Sequence, residues 1–155
     1  MAQRLPYLRS EIDPDTGYVE VVAYSSVNDV GRVINPMIVR GQLDGGVVQG
    51  LGQALCEHLQ YDRESGQLVT GSMMDYAVPH TDIMGPMSHE LDQSTPCLNN
   101  PLGVKGVGEL GTIGATPAAV NAVADAFARN GMAAKTPLLQ MPLTAMRVWE
   151  LMRTG

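Results

Sequence analysis

Five glycines, Gly41, Gly45, Gly46, Gly50 and Gly52, fall inside a single run patterned as a helix, and that run constrains the fold of this chain most. The run is predicted to extend from about Pro36 to Leu59. Asn35 is the cap, and Pro36 takes the first helical position, where its missing N–H is no loss. Leu43, Val47, Leu51, Leu55 and Leu59 recur at helical spacing and make one apolar side. The opposite side carries Gln42, Gln49 and Gln53 among the glycines, where a solvated helix would carry Lys, Glu and Arg. Each glycine costs about 1 kcal/mol against Ala in a helix interior, so five of them need a compensating contact. Either another helix packs over small residues, or a bound ligand approaches the backbone while glutamine amides supply paired donors and acceptors. Asp44 lies on the apolar side and fits neither reading.

A second glycine-dense stretch, Asn99 to Gly114, holds one acid, Glu109, and one cation, Lys105. Glycine lets a backbone run close to another group and adopt positive φ where needed. A carboxylate between Val107 and Leu110 is expected to be partly desolvated, which suits a general base of tunable pKa; the alternative is a connector with one solvated acid. Gly106-Val107-Gly108-Glu109-Leu110-Gly111 also satisfies the G-x-G-x-x-G spacing of dinucleotide sites. Its required setting is missing. No buried strand precedes it, the following helix opens only at Pro117, and the nearest later acid, Asp125, lies within that helix. A module that uses the loop for nucleotide phosphate remains the alternative function.

The remainder reads as α+β without repeats. Leu8–Ile12 and Tyr18–Val27 flank the turn Pro14-Asp15-Thr16-Gly17, a hairpin signal, and Tyr61 to Leu68 repeats it with Gly66 at the turn. Met73–Val78 is predicted as a short strand ended by Pro79, and Pro79 to Pro101 as irregular chain. A second helix is predicted with Thr116 as cap and Pro117 opening it. Its stripe is Val120, Val123, Ala124 and Phe127, and it ends at Gly131. A third follows Thr144, with Ala145, Val148, Trp149 and Met152 on one face. The 155 residues form one domain, 1–155, whose 10 Met and 17 Gly against 5% aromatics suit close backbone packing or an interface.

A net charge of −6 without a Lys/Arg cluster speaks against nucleic acid or an anionic membrane surface as partner. No apolar run reaches the roughly 20 residues of a membrane span, and the N-terminus lacks a signal-like apolar region. A cytoplasmic protein is expected. Cys56 and Cys97 match no metal or redox spacing and read as free buried thiols, and there is no iron–sulfur pattern. His58, His80 and His89 are too scattered to suggest a metal site, so none is assigned.

Several separated motifs carry a specific resemblance. They are Gly41-Gln42-x-x-Gly45-Gly46-x-x-Gln49-Gly50-x-Gly52-x-Ala54-Leu55-x-Glu57, then Asn100-Pro101-Leu102-Gly103-x-Lys105-Gly106-x-Gly108-Glu109-x-Gly111, then Pro117-Ala118-x-Val120-Asn121-Ala122. Asp29-x-Gly31-x-x-Ile34-Asn35-Pro36 and Met141-Pro142-Leu143-Thr144-x-x-x-Val148-Trp149 join them. From about Glu11 onward the chain resembles the C-terminal part of the molybdenum-binding large subunit of the xanthine dehydrogenase and aldehyde oxidase family.

The resemblance implies a molybdopterin cofactor, in its cytosine dinucleotide form, carrying molybdenum, with iron–sulfur clusters and FAD on partner subunits or domains. It implies hydroxylation of an aldehyde, N-heterocycle or similar electron-poor carbon with oxygen derived from water. It places the base at Glu109 and the cofactor contacts at Gln49, Lys105, Gly106, Val107 and Gly108. Lys105 could equally be a surface charge or pair with a structural carboxylate. The family's upstream molybdenum domain has no counterpart here. The expectation is therefore a split or truncated subunit, inactive alone, that works with an upstream molybdenum-binding subunit, an iron–sulfur subunit and a flavin subunit. A non-catalytic structural subunit or inactive fragment is the other reading.

Overall fold

The computed structural model describes residues 4–154. β1 (Arg4–Ile12) and β2 (Val19–Asp29) form the expected antiparallel hairpin. Its turn is set locally: the Asp13 carboxylate accepts from the Asp15 N–H and the Thr16 hydroxyl, both at 2.8 Å, and Gly17 takes φ +74°. β3 (Met87–Asp92) pairs in parallel with β2 on its other side, giving the order β1-β2-β3. This strand corrects the reading of Pro79–Pro101 as wholly irregular. Ser88, His89 and Glu90 lack a strand's usual composition, and the pairing with β2 imposes the extended form.

Met73–Val78, expected as a strand, is a run of turns. The Ser72 hydroxyl donates to the Asp75 carboxylate at 2.6 Å, and Met73 and Met74 stand in the open. The second hairpin shrinks to one bridge, Tyr61 with Leu68, around Gly66 at φ +72°.

α1 (Pro36–Leu55) starts as expected, with the Asn35 side chain accepting from the Met37 and Ile38 N–H groups. It stops four residues short of Leu59: the Glu57 N–H passes over the Gln53 carbonyl and bonds the Gly52 carbonyl, which already holds the last regular bond from Cys56. Leu59 consequently lies outside the helix and exposed.

α2 (Leu110–Arg129) begins well before the Thr116-Pro117 signal, so Pro117 sits inside the helix. The signal misleads because the Thr116 hydroxyl caps nothing. It donates across to the Gly50 carbonyl of α1 at 3.0 Å. α3 (Ala145–Arg153) is capped by Thr144 as expected. Short 3₁₀ turns occupy Thr81–Ile83 and Ala133–Leu138.

The core lies between the sheet and the helices. Val19, Val21 and Tyr24 of β2 meet Val47, Leu51 and Leu55 of α1, Ala115, Val123 and Phe127 of α2, and Val148 of α3. A smaller cluster, Val30, Leu43 and Leu110, sits where β2 ends and α2 begins, with half-buried Val107 packed on it. α1 and α2 approach backbone to backbone. A Cβ added at Gly111 would stand 2.5 Å from the Leu43 carbonyl oxygen, and one at Gly50 would stand 2.7 Å from the Thr112 carbonyl oxygen. Helix packing over small residues, one of the two readings of the glycine face, therefore accounts for Gly46 and Gly50.

Asp44 also finds its role here. Its carboxylate meets His89 Nε2 at 2.9 Å, while His89 Nδ1 lies 2.7 Å from the Ser26 hydroxyl and Asn28 donates to that same hydroxyl. The His89 side chain is 4% exposed and that of Asp44 46%, so a polar chain ties α1 to the β2–β3 pair. Sequence period alone made Asp44 anomalous because its partner comes from β3, the strand that was not foreseen.

Candidate functional site

The Gly/Gln side of α1 and the glycine loop before α2 meet at one surface. The Gln42 side-chain amide donates to the Gly108 carbonyl at 3.0 Å. One and two turns further on, Thr112 stands 3.2 Å from Gln49 Oε1 and Thr116 stands 3.1 Å from Gln53 Oε1. Each threonine hydroxyl also reaches a carbonyl of α1, Gly46 for Thr112 and Gly50 for Thr116, both at 3.0 Å. Three rungs thus cross from α1 to the loop and α2. Thr112 is not singled out by the sequence, and Thr116 reads there only as a helix cap. Their four-residue spacing matches that of Gln49 and Gln53, and of Gly46 and Gly50, which was the available signal.

Four glycines on this surface are unlike the others. At Gly41, Gly45, Gly106 and Gly108 an added Cβ would meet nothing within 4 Å, and none of the four has positive φ. Among the described residues, neither packing nor backbone conformation calls for glycine there. Gly41 and Gly45 lie on the outward side of α1 near Met37 and Ile38, which are 77% and 63% exposed. Small-residue packing explains the inner glycines and leaves the outer ones without a packing reason among the described residues.

Glu109 is at the N-cap position of α2, yet its side chain makes no capping hydrogen bond. Helix N-caps favour Ser, Thr, Asp or Asn, whose short side chains reach the first-turn amides. Glu109 is exposed. This corrects the expected partial desolvation, because Leu110 and Val107 pack inward onto Val30 and Leu43 and leave the carboxylate uncovered.

Of the residues assigned to the cofactor, Gly106 and Gly108 are exposed. Val107 is half-buried, and Gln49 is exposed with its Oε1 beside Thr112. Lys105 differs. Its ammonium is ion-paired with Asp29, with the two side chains only 10% and 14% exposed, so it realises the alternative of a structural carboxylate partner. Lys105 holds the Asp29 carboxyl below the ordinary carboxylate range, helped by the Gly31 N–H and the Thr95 hydroxyl.

The thiols are free, as expected, but half-buried rather than buried. Burial, with Glu57 nearby, pushes the Cys56 thiol up and disfavours a reactive thiolate. Among the described residues no three His, Cys, Asp or Glu side chains group as metal ligands, and no helix is long and apolar enough to cross a membrane. The loop lacks the strand–turn–helix setting of a dinucleotide fold, since only an isolated bridge, Gly31 with Val104, precedes it.

The chain is similar to known proteins over most of its length. The model of the molybdopterin cofactor-binding domain family matches residues 8–84. The chain is 44% identical over 138 residues to the nicotine 6-hydroxylase large subunit of Paenarthrobacter nicotinovorans, covering 89% of this chain and 16% of that protein. It is 36% identical over 143 residues to the carbon monoxide dehydrogenase large chain of Hydrogenophaga pseudoflava, covering 92% of this chain and 17% of that one. Among solved structures, quinoline 2-oxidoreductase from Pseudomonas putida 86 superposes with a TM-score of 0.83 at 37% identity, over 94% of this chain and 18% of that one. Reconstituted CO dehydrogenase from Oligotropha carboxidovorans gives 0.86 at 32% identity, over 97% and 18%. The chain spans about one sixth of the length of the curated relatives it matches.

Proposed function

Because this chain belongs to the molybdopterin cofactor-binding family of molybdenum hydroxylases, we propose that it forms one wall of such an active site and supplies the catalytic base, Glu109. The four open glycines carry this reading. They clear side chains from a surface that already displays the Gln49 amide, and a large planar cofactor needs that kind of clearance. Gln49 and the backbone of Gly106, Val107 and Gly108 would hold the pterin, with main-chain N–H groups as donors. Lys105 acts indirectly, through its pair with Asp29.

The molybdenum pterin, proposed in its cytosine dinucleotide form, supplies the oxidising centre when bound. Glu109 accepts a proton at its carboxylate oxygen and so activates water-derived oxygen toward an aldehyde, an N-heterocycle or a similar electron-poor carbon. Its exposure here means that the covering surface comes from elsewhere. A separate molybdenum-binding polypeptide is proposed for that role, with iron–sulfur and flavin partners to take the electrons and the chain inactive by itself. Excluding water from around the base then becomes a property of the assembly.

The test is co-expression with the upstream molybdenum-binding partner, followed by metal and pterin analysis. Glu109→Gln should retain molybdenum and lower substrate-dependent turnover by about 10²- to 10⁴-fold. Full turnover in that variant would remove Glu109 from the chemistry. Gln49→Ala should instead lower metal and pterin occupancy.

A further inference from the structure

The loop that carries Glu109 is fastened at one end by a part-buried charge pair, and its other fastenings follow a clear order. From Asn100 to Lys105 it is bound tightly. The Asn100 side chain donates to the Val104 carbonyl at 3.1 Å and accepts from the Val104 N–H at 3.2 Å. The Gly103 carbonyl accepts from the Arg32 and Cys97 N–H groups, and the Lys105 N–H donates to the Val30 carbonyl at 3.2 Å. Beyond Lys105 the open glycines Gly106 and Gly108 flank half-buried Val107, Gln42 takes the Gly108 carbonyl, and α2 begins.

Lys105 is therefore the last charged anchor before the base, ahead of the Val107 packing contact and the Gln42–Gly108 bond. Its ammonium is held by Asp29, at the end of β2, whose carboxylate also accepts from the Gly31 N–H at 3.2 Å and the Thr95 hydroxyl at 3.1 Å. One carboxylate thus gathers three segments: the end of β2, the loop after β3, and the loop leading to Glu109. Gly31 adds to the fit. A Cβ there would stand 2.5 Å from the Gly103 carbonyl oxygen and 3.1 Å from Lys105 Cγ, so the strap lies directly against β2's continuation.

We propose that Asp29, through its part-buried pair with Lys105, is a positioning residue that helps fix the Gly106–Glu109 segment and so aims the Glu109 carboxylate. This rests on the reading of Glu109 as the base. A part-buried pair of this kind adds little net stability, because solvent screening and desolvation offset much of the attraction. Its value lies in specifying one loop position. Between Lys105 and Gly108 the other holds are the half-buried Val107 side chain and the Leu110 N–H bond to the Val107 carbonyl, so the charge pair shares the task of setting the loop's course.

The test uses the assembled, metal-loaded enzyme and three variants, Asp29→Asn, Lys105→Met and the double. Lys105→Met leaves Asp29 its Gly31 and Thr95 donors, so it stays informative if Asp29→Asn misfolds. Each single variant should lower kcat by about 10- to 100-fold, as expected when a catalytic group shifts by about an ångström. KM should stay within about twofold and molybdenum and pterin content should be unchanged. Hydrogen exchange at the amides of Gly106 to Glu109 should quicken, a readout independent of turnover. The double variant should be no worse than either single, since both remove one strut.

Unchanged kcat in Lys105→Met, or a loss that merely follows metal content, overturns the positioning role. The Glu109→Gln arm separates the two ideas. If that variant is inactive while Lys105→Met is fully active, only the strut fails; if Glu109→Gln is itself active, the base assignment fails and takes the strut's purpose with it.

Discussion

The inner and outer glycines of α1 share one helix and have opposite explanations. Gly46 and Gly50 face α2, and a Cβ at either would stand 3.1 Å or less from backbone atoms of that helix. Gly41 and Gly45 face away, and a Cβ at either would touch nothing. The inner pair is accounted for by this chain's own packing. The outer pair carries the helix-propensity cost with no return among the described residues, and it lies on the side proposed above for the cofactor.

That contrast can be broken in several places. The largest effect should come from the inner contact. Gly111→Ala drives a methyl against the Leu43 carbonyl and should destabilise the chain by about 3 kcal/mol or more, read as a lower denaturant midpoint. A fully tolerated Gly111→Ala would mean that the helices do not meet backbone to backbone.

The outer pair should respond in the opposite direction. Gly41→Ala with Gly45→Ala should raise the stability of the purified chain by about 2 kcal/mol in the same assay, at about 1 kcal/mol per helical position. The same double variant should lower pterin and molybdenum content in the assembled enzyme. More stability with undiminished loading would leave the outer glycines unexplained.

Smaller still is Thr112→Val, which removes one rung between the helices. It should cost about 1 kcal/mol by the same unfolding measurement, since the Gly46 carbonyl loses only its added bond.

The smallest effect concerns pH. The folded Asp29 carboxyl titrates below its unfolded value, so the unfolded chain binds the proton more readily. Its contribution is fully present above the unfolded carboxylate range, near pH 4, and is lost as pH falls through the lower folded value. Between about pH 5 and 8 the exchange rate of the Lys105 amide, corrected for intrinsic chemistry, should show no change in protection due to this group. A loss of protection inside that window would mean that the pair is not what secures the loop.

Sequence legibility followed the range of the interactions. The Asn35–Pro36 start of α1, the β1–β2 turn and the Thr144 cap of α3 rest on contacts within a few residues, and all three were readable. β3 was not, because its extended form depends on pairing with β2 some sixty residues earlier. The start of α2 was misplaced because Thr116 imitates a cap while its hydroxyl serves the neighbouring helix. At the site, Glu109 and the glutamines stood out as residues unsuited to their local surroundings. Gln42's hold on Gly108, the threonine rungs and the Lys105–Asp29 pair all join positions more than sixty residues apart, and no local pattern announces them.

The crossing of α1 and α2 has a mechanical consequence. Helices separated by long side chains can slide as those side chains change rotamer, but here main chain rests on main chain and hydroxyls pin each turn to the next helix. The glutamine-bearing helix and the helix headed by Glu109 therefore travel as one stiff body. A partner pressing on either would displace both together, so docking can reorient this wall as a unit but has little scope to change the spacing built into it.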